Sequence, residues 1–165
     1  MFEYPKYKKV LFCTDFSECA DHAFWYAFGV AKRDEGFFHI LHVNDNMASQ
    51  SYVEGKVEAA YPELAESIRE TARKELENEL QERYARKIKI ESVPFEIVIK
   101  DGQPYHEIIR FAREKNVDII VIGTRGKTAM KHAFLGSVAE MTTRLSAIPV
   151  FSIPCGEKNW PDIMY

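Results

Sequence analysis

The stretch VDIIVIGTRG at residues 117–126 decides the fold class. Its centre, Ile119 to Ile122, is apolar without interruption, which indicates a strand that is buried on both faces. Such a strand suits the middle of a parallel sheet that helices cover on both sides. Glycines follow it directly, so the chain can turn sharply where the strand ends. The stretch therefore predicts a central parallel strand that runs into a glycine-bearing loop.

Strand and helix patterns alternate on both sides of this stretch. Strands are predicted at 9–14, 37–43, 93–100, 117–122 and 149–153, with helices between them. This alternation predicts a single α/β domain with a doubly wound, five-stranded parallel sheet of order 3-2-1-4-5 and helices on both faces. We expect residues 1–155 to form that domain and residues 156–165 to form a C-terminal tail.

Composition and charge exclude several classes of protein. The 165 residues suit one domain, and 46% apolar with 28% charged residues is ordinary for a globular protein. The 22 basic against 25 acidic residues argue against a general nucleic-acid binder. The N-terminus lacks a secretory pattern, so we expect a cytoplasmic protein. Three cysteines without a C-x-x-C motif predict reduced thiols and no disulfide.

A long charged helix is predicted at about residues 62–87. Apolar residues recur at every fourth position, from Leu64 to Tyr84. Oppositely charged residues four apart, such as Glu79 and Arg83, support an isolated helix. The charged side is therefore interpreted as a solvated helix face and not as a binding patch.

The predicted strand order also indicates where a ligand would bind. In doubly wound sheets, ligands bind at the carboxyl ends of the strands, where the strand order reverses. For the order 3-2-1-4-5 this point lies between strands one and four. Thr14 and Asp15 follow strand one, and residues 123–126 follow strand four. Asp15 is the acid that the sequence places there, although an aspartate at this position also suits a helix N-cap.

The glycines after strand four form the pattern G-x2-G-x9-G-S, from Gly123 to Ser137. Glycines let a ligand approach the backbone, and the N–H groups at a helix start attract anions. Lys127 and Lys131 add positive charge to the loop. The pattern suits a phosphorylated ligand, but turn glycines and a capping serine would look the same. A P-loop does not fit the spacing, and no G-x-G-x-x-G motif occurs.

Several of these motifs together resemble the ATP-binding branch of the universal stress protein family. The resemblance covers residues 8–154 and rests on these stretches: CTDFS at 13–17, LHV at 41–43, VIGTRG at 121–126 and LGSVAE at 135–140. It implies ATP, with Mg²⁺, at a site made of Thr14, Asp15, Val43, Gly123, Thr124, Gly126, Lys127, Gly136, Ser137 and Val138. Asp15 would bind the nucleoside with Thr14 beside it, and Val43 would contact adenine. Gly123 and Thr124 would line the ribose side. Gly126, Gly136 and Ser137 would hold the phosphates.

The last strand is predicted to lie at an exposed sheet edge, which proteins protect or pair. Members of the resembled family commonly dimerise through it, which implies a homodimer interface at Val150, Phe151, Ser152 and Ile153. The resemblance implies a dimeric, nucleotide-dependent regulator in the stress response, with no evident catalytic residues and at most slow ATP hydrolysis.

Three alternatives remain open from the sequence. The first is a nucleotide-free interaction module of the same fold. The second is an adenylating enzyme, although its H-x-G-H and S-G-G-x-D-S motifs are absent. The third is a phospho-acceptor receiver domain, although no lysine lies at the end of strand five.

Overall fold

Strands and helices alternate along the chain, as the sequence predicts. The computed structural model describes residues 4–45, 58–90, 92–126 and 135–155. In chain order the elements are β1 Lys9–Thr14, α1 Glu18–Arg33, β2 Phe37–Asn44, α2 Pro62–Leu80, a π-helical turn Gln81–Ala85, α3 Arg86–Ile90, β3 Phe95–Asp101, α4 Pro104–Lys115, β4 Ile119–Gly123, α5 Ser137–Leu145 and β5 Val150–Ile153. The predicted tail at 156–165 lies outside the described residues.

The described strands form one sheet in the order β3-β2-β1-β4-β5. All four neighbouring pairs are parallel, which confirms the predicted fold class. Val10 of β1 stands opposite Phe38 on one side and Ile119 on the other, so β1 is central. The strand order reverses between β1 and β4, as expected. No helix in the described part of the chain is both long enough and apolar enough to cross a bilayer.

The core has one layer on each face of the sheet, because successive strand residues point to opposite sides. Val10 and Phe12 face the layer that α1, the π-helical turn and α3 cover. Leu11 and Cys13 face the layer beneath α4 and α5. Burial raises the pKa of the Cys13 thiol, which keeps it protonated.

The helix predicted at 62–87 is interrupted by the π-helical turn. An α-helix has 3.6 residues per turn, so an apolar stripe at every fourth position drifts around its axis. A π turn is wider and rotates less per residue, which reduces this drift. Leu80, Tyr84 and Ile88 can therefore all reach the same core layer, where each is fully buried.

The prediction of reduced cysteines is wrong for two of the three. Cys19 and Cys155 form a disulfide, with their Cα atoms 4.4 Å apart. They are separated by 136 positions in sequence, so spacing motifs do not reveal the pair. The strand order brings them together, because β5 ends beside the start of α1. Cys13 is the free thiol among the cysteines.

A buried histidine joins two strands and a helix. His39 Nδ1 lies 2.8 Å from Glu96 Oε1, and Lys115 Nζ lies 3.1 Å from the same oxygen. The carboxylate accepts, so Nδ1 carries the proton. Nε2 is buried and has no hydrogen-bond partner among the residues that the structure describes, which suits its unprotonated form. Burial outweighs the attraction of Glu96 and lowers the pKa of His39 below its ordinary 6.5.

This histidine predicts an acid-sensitive stability. The unfolded chain takes up the histidine proton near pH 6.5, before the folded protein does, so the free energy of unfolding falls as pH drops below that value. Urea denaturation at a series of pH values from about 7.5 to about 5.5 measures how steeply the free energy of unfolding changes with pH. His39→Asn keeps a donor for Glu96 but does not titrate, so its slope should be smaller. Equal slopes in the two proteins would contradict this role.

Candidate functional site

A cleft of about 1030 Å³ opens at the carboxyl ends of the strands. Nine of the ten predicted site residues line it: Thr14, Asp15, Val43, Gly123, Thr124, Gly126, Gly136, Ser137 and Val138. The tenth, Lys127, lies outside the described residues, as does Lys131. The structure therefore brings together residues that are up to 124 positions apart, and their roles towards a ligand stay predictions.

The loop between β1 and α1 holds Asp15 at the cleft. Asp15 Oδ1 accepts a hydrogen bond of 3.1 Å from the Ser17 backbone N–H. Ser17, not Asp15, is the N-cap of α1, because its side chain accepts from the Ala20 N–H. Phe16 between them has a φ of 62°, in the left-handed region that a phenylalanine seldom adopts. Its ring packs against the His42 ring, with centroids 4.5 Å apart.

The Thr14 side chain is used inside the protein. Tyr84 Oη donates to Asp21 Oδ1 at 2.7 Å, so its single proton is committed. The Thr14 hydroxyl, 2.8 Å from Tyr84 Oη, must therefore donate to it. Thr14 Oγ1 in turn accepts from the Phe16 N–H at 3.0 Å. Burial and Asp21 raise the pKa of Tyr84, which keeps the phenol protonated. Thr14 thus positions the loop between β1 and α1.

Two glycines permit close approaches around the cleft. A Cβ added to Gly123 would lie 3.0 Å from the backbone carbonyl carbon and oxygen of Cys19. A Cβ added to Gly126 would lie 2.5 Å from Asp15 Oδ2. The first glycine lets β4 end against the first turn of α1, and the second leaves room for the Asp15 carboxylate.

Thr124 connects the glycine loop to β5 and α5. Its N–H donates to the Ile153 carbonyl at 2.8 Å, and its carbonyl accepts from the Gly136 N–H at 2.6 Å. Gly136 is the N-cap of α5 and offers no side chain to the first N–H groups of the helix. Those N–H groups, at Ser137 and Val138, begin a helix that lines the cleft. They form an electropositive end that can bind an anion.

One side of α2, between Glu66 and Glu79, forms a wall of the cleft that the sequence analysis missed. Ile68, Ala72 and Leu76 line the cleft, together with Arg69 and Arg73 on the charged side. The interpretation as a solvated face was thus incomplete, because these charged side chains are exposed yet border a cavity. The apolar stripe was the available signal, since it continues to Leu64, well beyond the part that packs on the sheet.

More acids border the cleft than the sequence placed there. Besides Asp15 they are Asp45, Glu66, Glu70, Glu75, Glu79 and Asp101. Within the described ranges, no group of three or more His, Cys, Asp or Glu side chains is arranged to hold a metal ion. Mg²⁺ commonly binds through one or two carboxylates plus substrate phosphates and keeps several waters. The donors present therefore suit a Mg²⁺ ion that a phosphorylated ligand carries in.

The end of the cleft near β2 has apolar and polar lining residues. Val43, Ile99 and Ile108 line it, with Pro104 at the start of α4, beside Asn44, Asp45 and Asp101. Small-molecule sites usually combine such apolar walls with a few polar groups that orient the ligand. The cleft thus offers apolar side chains beside polar ones at one end and backbone N–H groups at the other, which suits a flat ring joined to an anionic group.

Comparisons with known proteins agree with this architecture. The universal stress protein family model matches residues 6–154. Universal stress protein MJ0577 from Methanocaldococcus jannaschii is 35% identical over 162 residues, which cover 89% of this chain and 94% of the relative. The solved structure of MJ0577 superposes with a TM-score of 0.73 at 31% identity, covering 94% of this chain and 100% of that one.

Two more distant solved structures share the fold. One is a universal stress protein in complex with cAMP, with a TM-score of 0.62 at 19% identity, covering 92% of this chain and 99% of that one. The other is the universal stress protein from Archaeoglobus fulgidus in complex with dAMP, with a TM-score of 0.55 at 21% identity, covering 90% and 99%. At these identities the likeness is one of fold.

The hydroxyl of Tyr84 is expected to contribute to stability. Tyr84→Phe removes the donor to Asp21 and the acceptor for Thr14, and leaves a buried hydroxyl with fewer partners. We expect a loss of about 1–3 kcal/mol in the free energy of unfolding, measured by urea denaturation. Tyr26→Phe is the matched control on exposed α1 surface and should change stability by less than about 0.5 kcal/mol. Equal effects of the two changes would contradict the buried hydrogen-bond chain.

Proposed function

Since this chain belongs to the universal stress protein family, we propose that it binds an adenine nucleotide, ATP with Mg²⁺, in the cleft between β1 and β4. We further propose that it acts in the cytoplasm as a homodimeric, nucleotide-dependent regulator. No catalytic residue is assigned. A nucleotide-free interaction module of the same fold is the alternative that the experiments below separate from this function.

One observation carries the proposal: Gly126 and the start of α5 border the same cleft as Asp15. Gly126 has no Cβ where one would meet Asp15 Oδ2, so backbone and carboxylate come close together. Gly136 leaves the first N–H groups of α5 uncapped by a side chain. A carboxylate that accepts from ribose hydroxyls and N–H groups that donate to phosphate are complementary to a nucleotide. The cAMP and dAMP complexes of distant members agree with this ligand class.

Each end of the nucleotide has proposed partners. The adenine would pack beside Val43 in this cleft, where the backbone at the end of β2 can hydrogen-bond its edge. The ribose would lie at Asp15, against Gly123 and Thr124. The phosphates would bind Gly126, Gly136 and Ser137, with Val138 and Lys127 adding an N–H group and a positive charge. Arg69 and Arg73 on α2 border the same cleft, where they form ion pairs with Glu58, Glu66 and Glu77.

The proposed dimer uses β5 at the edge of the sheet. Among the described strands β5 pairs with β4 alone, and the exposed side chain of Phe151 lies on it. The side chain of Ile153 is buried in the core, so it would stabilise the strand rather than contact a partner. The carbonyls of Pro149 and Ile153 accept from β4. Because backbone groups alternate along a strand, those of Val150 and Ser152 point to the open edge and can pair with a second copy.

Nucleotide retention tests the proposed ligand. The purified protein is denatured, and the released nucleotide is identified by chromatography, while Mg-ATP binding is measured by calorimetry. We expect ATP in the unaltered protein. Gly126→Val should weaken binding by about tenfold or more, because its side chain would displace the Asp15 carboxylate and block the ligand.

The matched control is Gly29→Val. Gly29 lies on the exposed side of α1, and no atom of the described residues lies within 4 Å of an added Cβ, so nucleotide binding should persist. An unaltered protein that carries no nucleotide and does not bind added Mg-ATP would overturn the proposal and favour the interaction module.

If two copies pair through the open edge of β5, a proline on that edge should dissociate the dimer. Ser152→Pro removes an N–H that points away from β4, so the fold should persist while the dimer dissociates. Ser152→Ala keeps that N–H and should remain dimeric. Sedimentation velocity measures the oligomeric state, and circular dichroism checks the fold. A Ser152→Pro protein that remains folded and dimeric would contradict pairing through β5.

A further inference from the structure

The disulfide between Cys19 and Cys155 lies directly behind the glycine loop. Cys19 is the second residue of α1, and its backbone carbonyl is the group that Gly123 approaches. Its Sγ lies 3.8 Å from Thr124 Oγ1 and 3.7 Å from the Ile153 carbonyl oxygen. The bridge therefore ties the chain beyond β5 to the same turn of α1 on which the end of β4 rests.

The two cysteines differ in exposure. Cys19 is buried, with 3% of its surface exposed, whereas Cys155 is partly exposed. A thiol from solution can thus approach the bridge from the side of Cys155 rather than from that of Cys19. Exchange starts when a thiolate attacks one sulfur of a disulfide, so it depends on access to the bridge.

We propose that Cys155 is a thiol–disulfide exchange site for low-molecular-weight thiols, and that closing the Cys19–Cys155 bridge strengthens nucleotide binding in the adjoining cleft. The second half of this statement rests on the proposed function. In the cytoplasm proposed for this protein, thiol pools keep most cysteines reduced, and disulfides found there are commonly redox-responsive.

The exchange balances in two steps. The thiolate of a small thiol attacks Cys155 Sγ, the Cys155–Cys19 bond breaks, and Cys19 leaves as a thiolate that takes up a proton. Cys155 is now bonded to the first small thiol as a mixed disulfide. A second small thiolate attacks the small-thiol sulfur of this mixed disulfide, and Cys155 leaves as a thiolate that takes up a proton. The sum is one protein disulfide and two small thiols converted into two cysteine thiols and one small disulfide. Closure is the reverse, with the small disulfide as the oxidant.

The coupling to the cleft follows from the contacts of Thr124. The bridge holds the end of β5, and the Ile153 carbonyl of that strand accepts from the Thr124 N–H. The Thr124 carbonyl accepts from the Gly136 N–H at the start of α5. Opening the bridge frees the chain after Ile153 and removes one restraint on this series of contacts. The loop that would bind the phosphates is then less preorganised, so part of the binding free energy is spent in ordering it.

Buffers with graded ratios of reduced to oxidised glutathione test both the exchange at Cys155 and its coupling to nucleotide binding. The protein is equilibrated, alkylated and analysed by mass spectrometry, and Mg-ATP binding is measured in the fully closed and fully open states. We expect the Cys19–Cys155 pair to change from disulfide to dithiol across the series, with a mixed disulfide detected at Cys155. The dissociation constant for Mg-ATP should be about fivefold or more higher in the open state.

Cys155→Ser gives a protein that cannot close the bridge. It should bind Mg-ATP with the affinity of the open wild-type protein in every buffer. A bridge that stays closed in reduced glutathione alone would overturn the exchange site and indicate a structural staple. Equal affinities in the open and closed states would overturn the coupling. If neither state binds nucleotide, the proposed function and the coupling fail together, whereas alkylation still decides the exchange.

Discussion

The close approach of β4 to α1 at Gly123 is the constraint on which the ligand end of the molecule depends. Any side chain there would meet the Cys19 carbonyl, so β4 and α1 would have to move apart. That separation would also move the glycine loop away from the loop that carries Asp15. The parallel pairing of β1 and β4 makes the strand ends neighbours, but the missing Cβ at Gly123 brings the two following loops within reach of one ligand.

The hydrogen-bond chain from Asp21 through Tyr84 to Thr14 holds the loop between β1 and α1, which carries Asp15. Tyr84 lies in the π-helical turn, which rotates the end of the long helix so that the phenol reaches β1. A left-handed residue costs about 1–3 kcal/mol where the surroundings impose it. Phe16 is held in that conformation by its N–H bond to Thr14 and by its contact with His42. The helix that forms one wall of the cleft thus also positions the loop on the opposite wall.

The features that the sequence predicted correctly arise from local patterns and a topological rule. The apolar run at Ile119 to Ile122 indicated a central strand, and the strand order then placed Asp15 and Gly126 at one edge. The features it missed depend on proximity between distant segments. The Cys19–Cys155 bridge forms because β5 ends beside α1. The wall formed by α2 exists because the fold brings this helix to the carboxyl ends of the strands. The π-helical turn was visible only as an every-fourth apolar spacing, which an ordinary helix also shows.

A hydrogen bond connects the loop that borders the cleft to the edge strand β5. The Thr124 N–H donates to the Ile153 carbonyl, so the last residue of β5 is bonded to the loop that borders the cleft. A second copy that pairs with β5 would restrain that strand, and a phosphate at the loop would restrain Thr124. Each event would order part of the chain that the other must also order, so the second event would lose less conformational entropy. Such coupling between two binding events is reciprocal. A nucleotide-dependent dimer therefore needs no large conformational change in this fold, because one hydrogen bond joins the two surfaces.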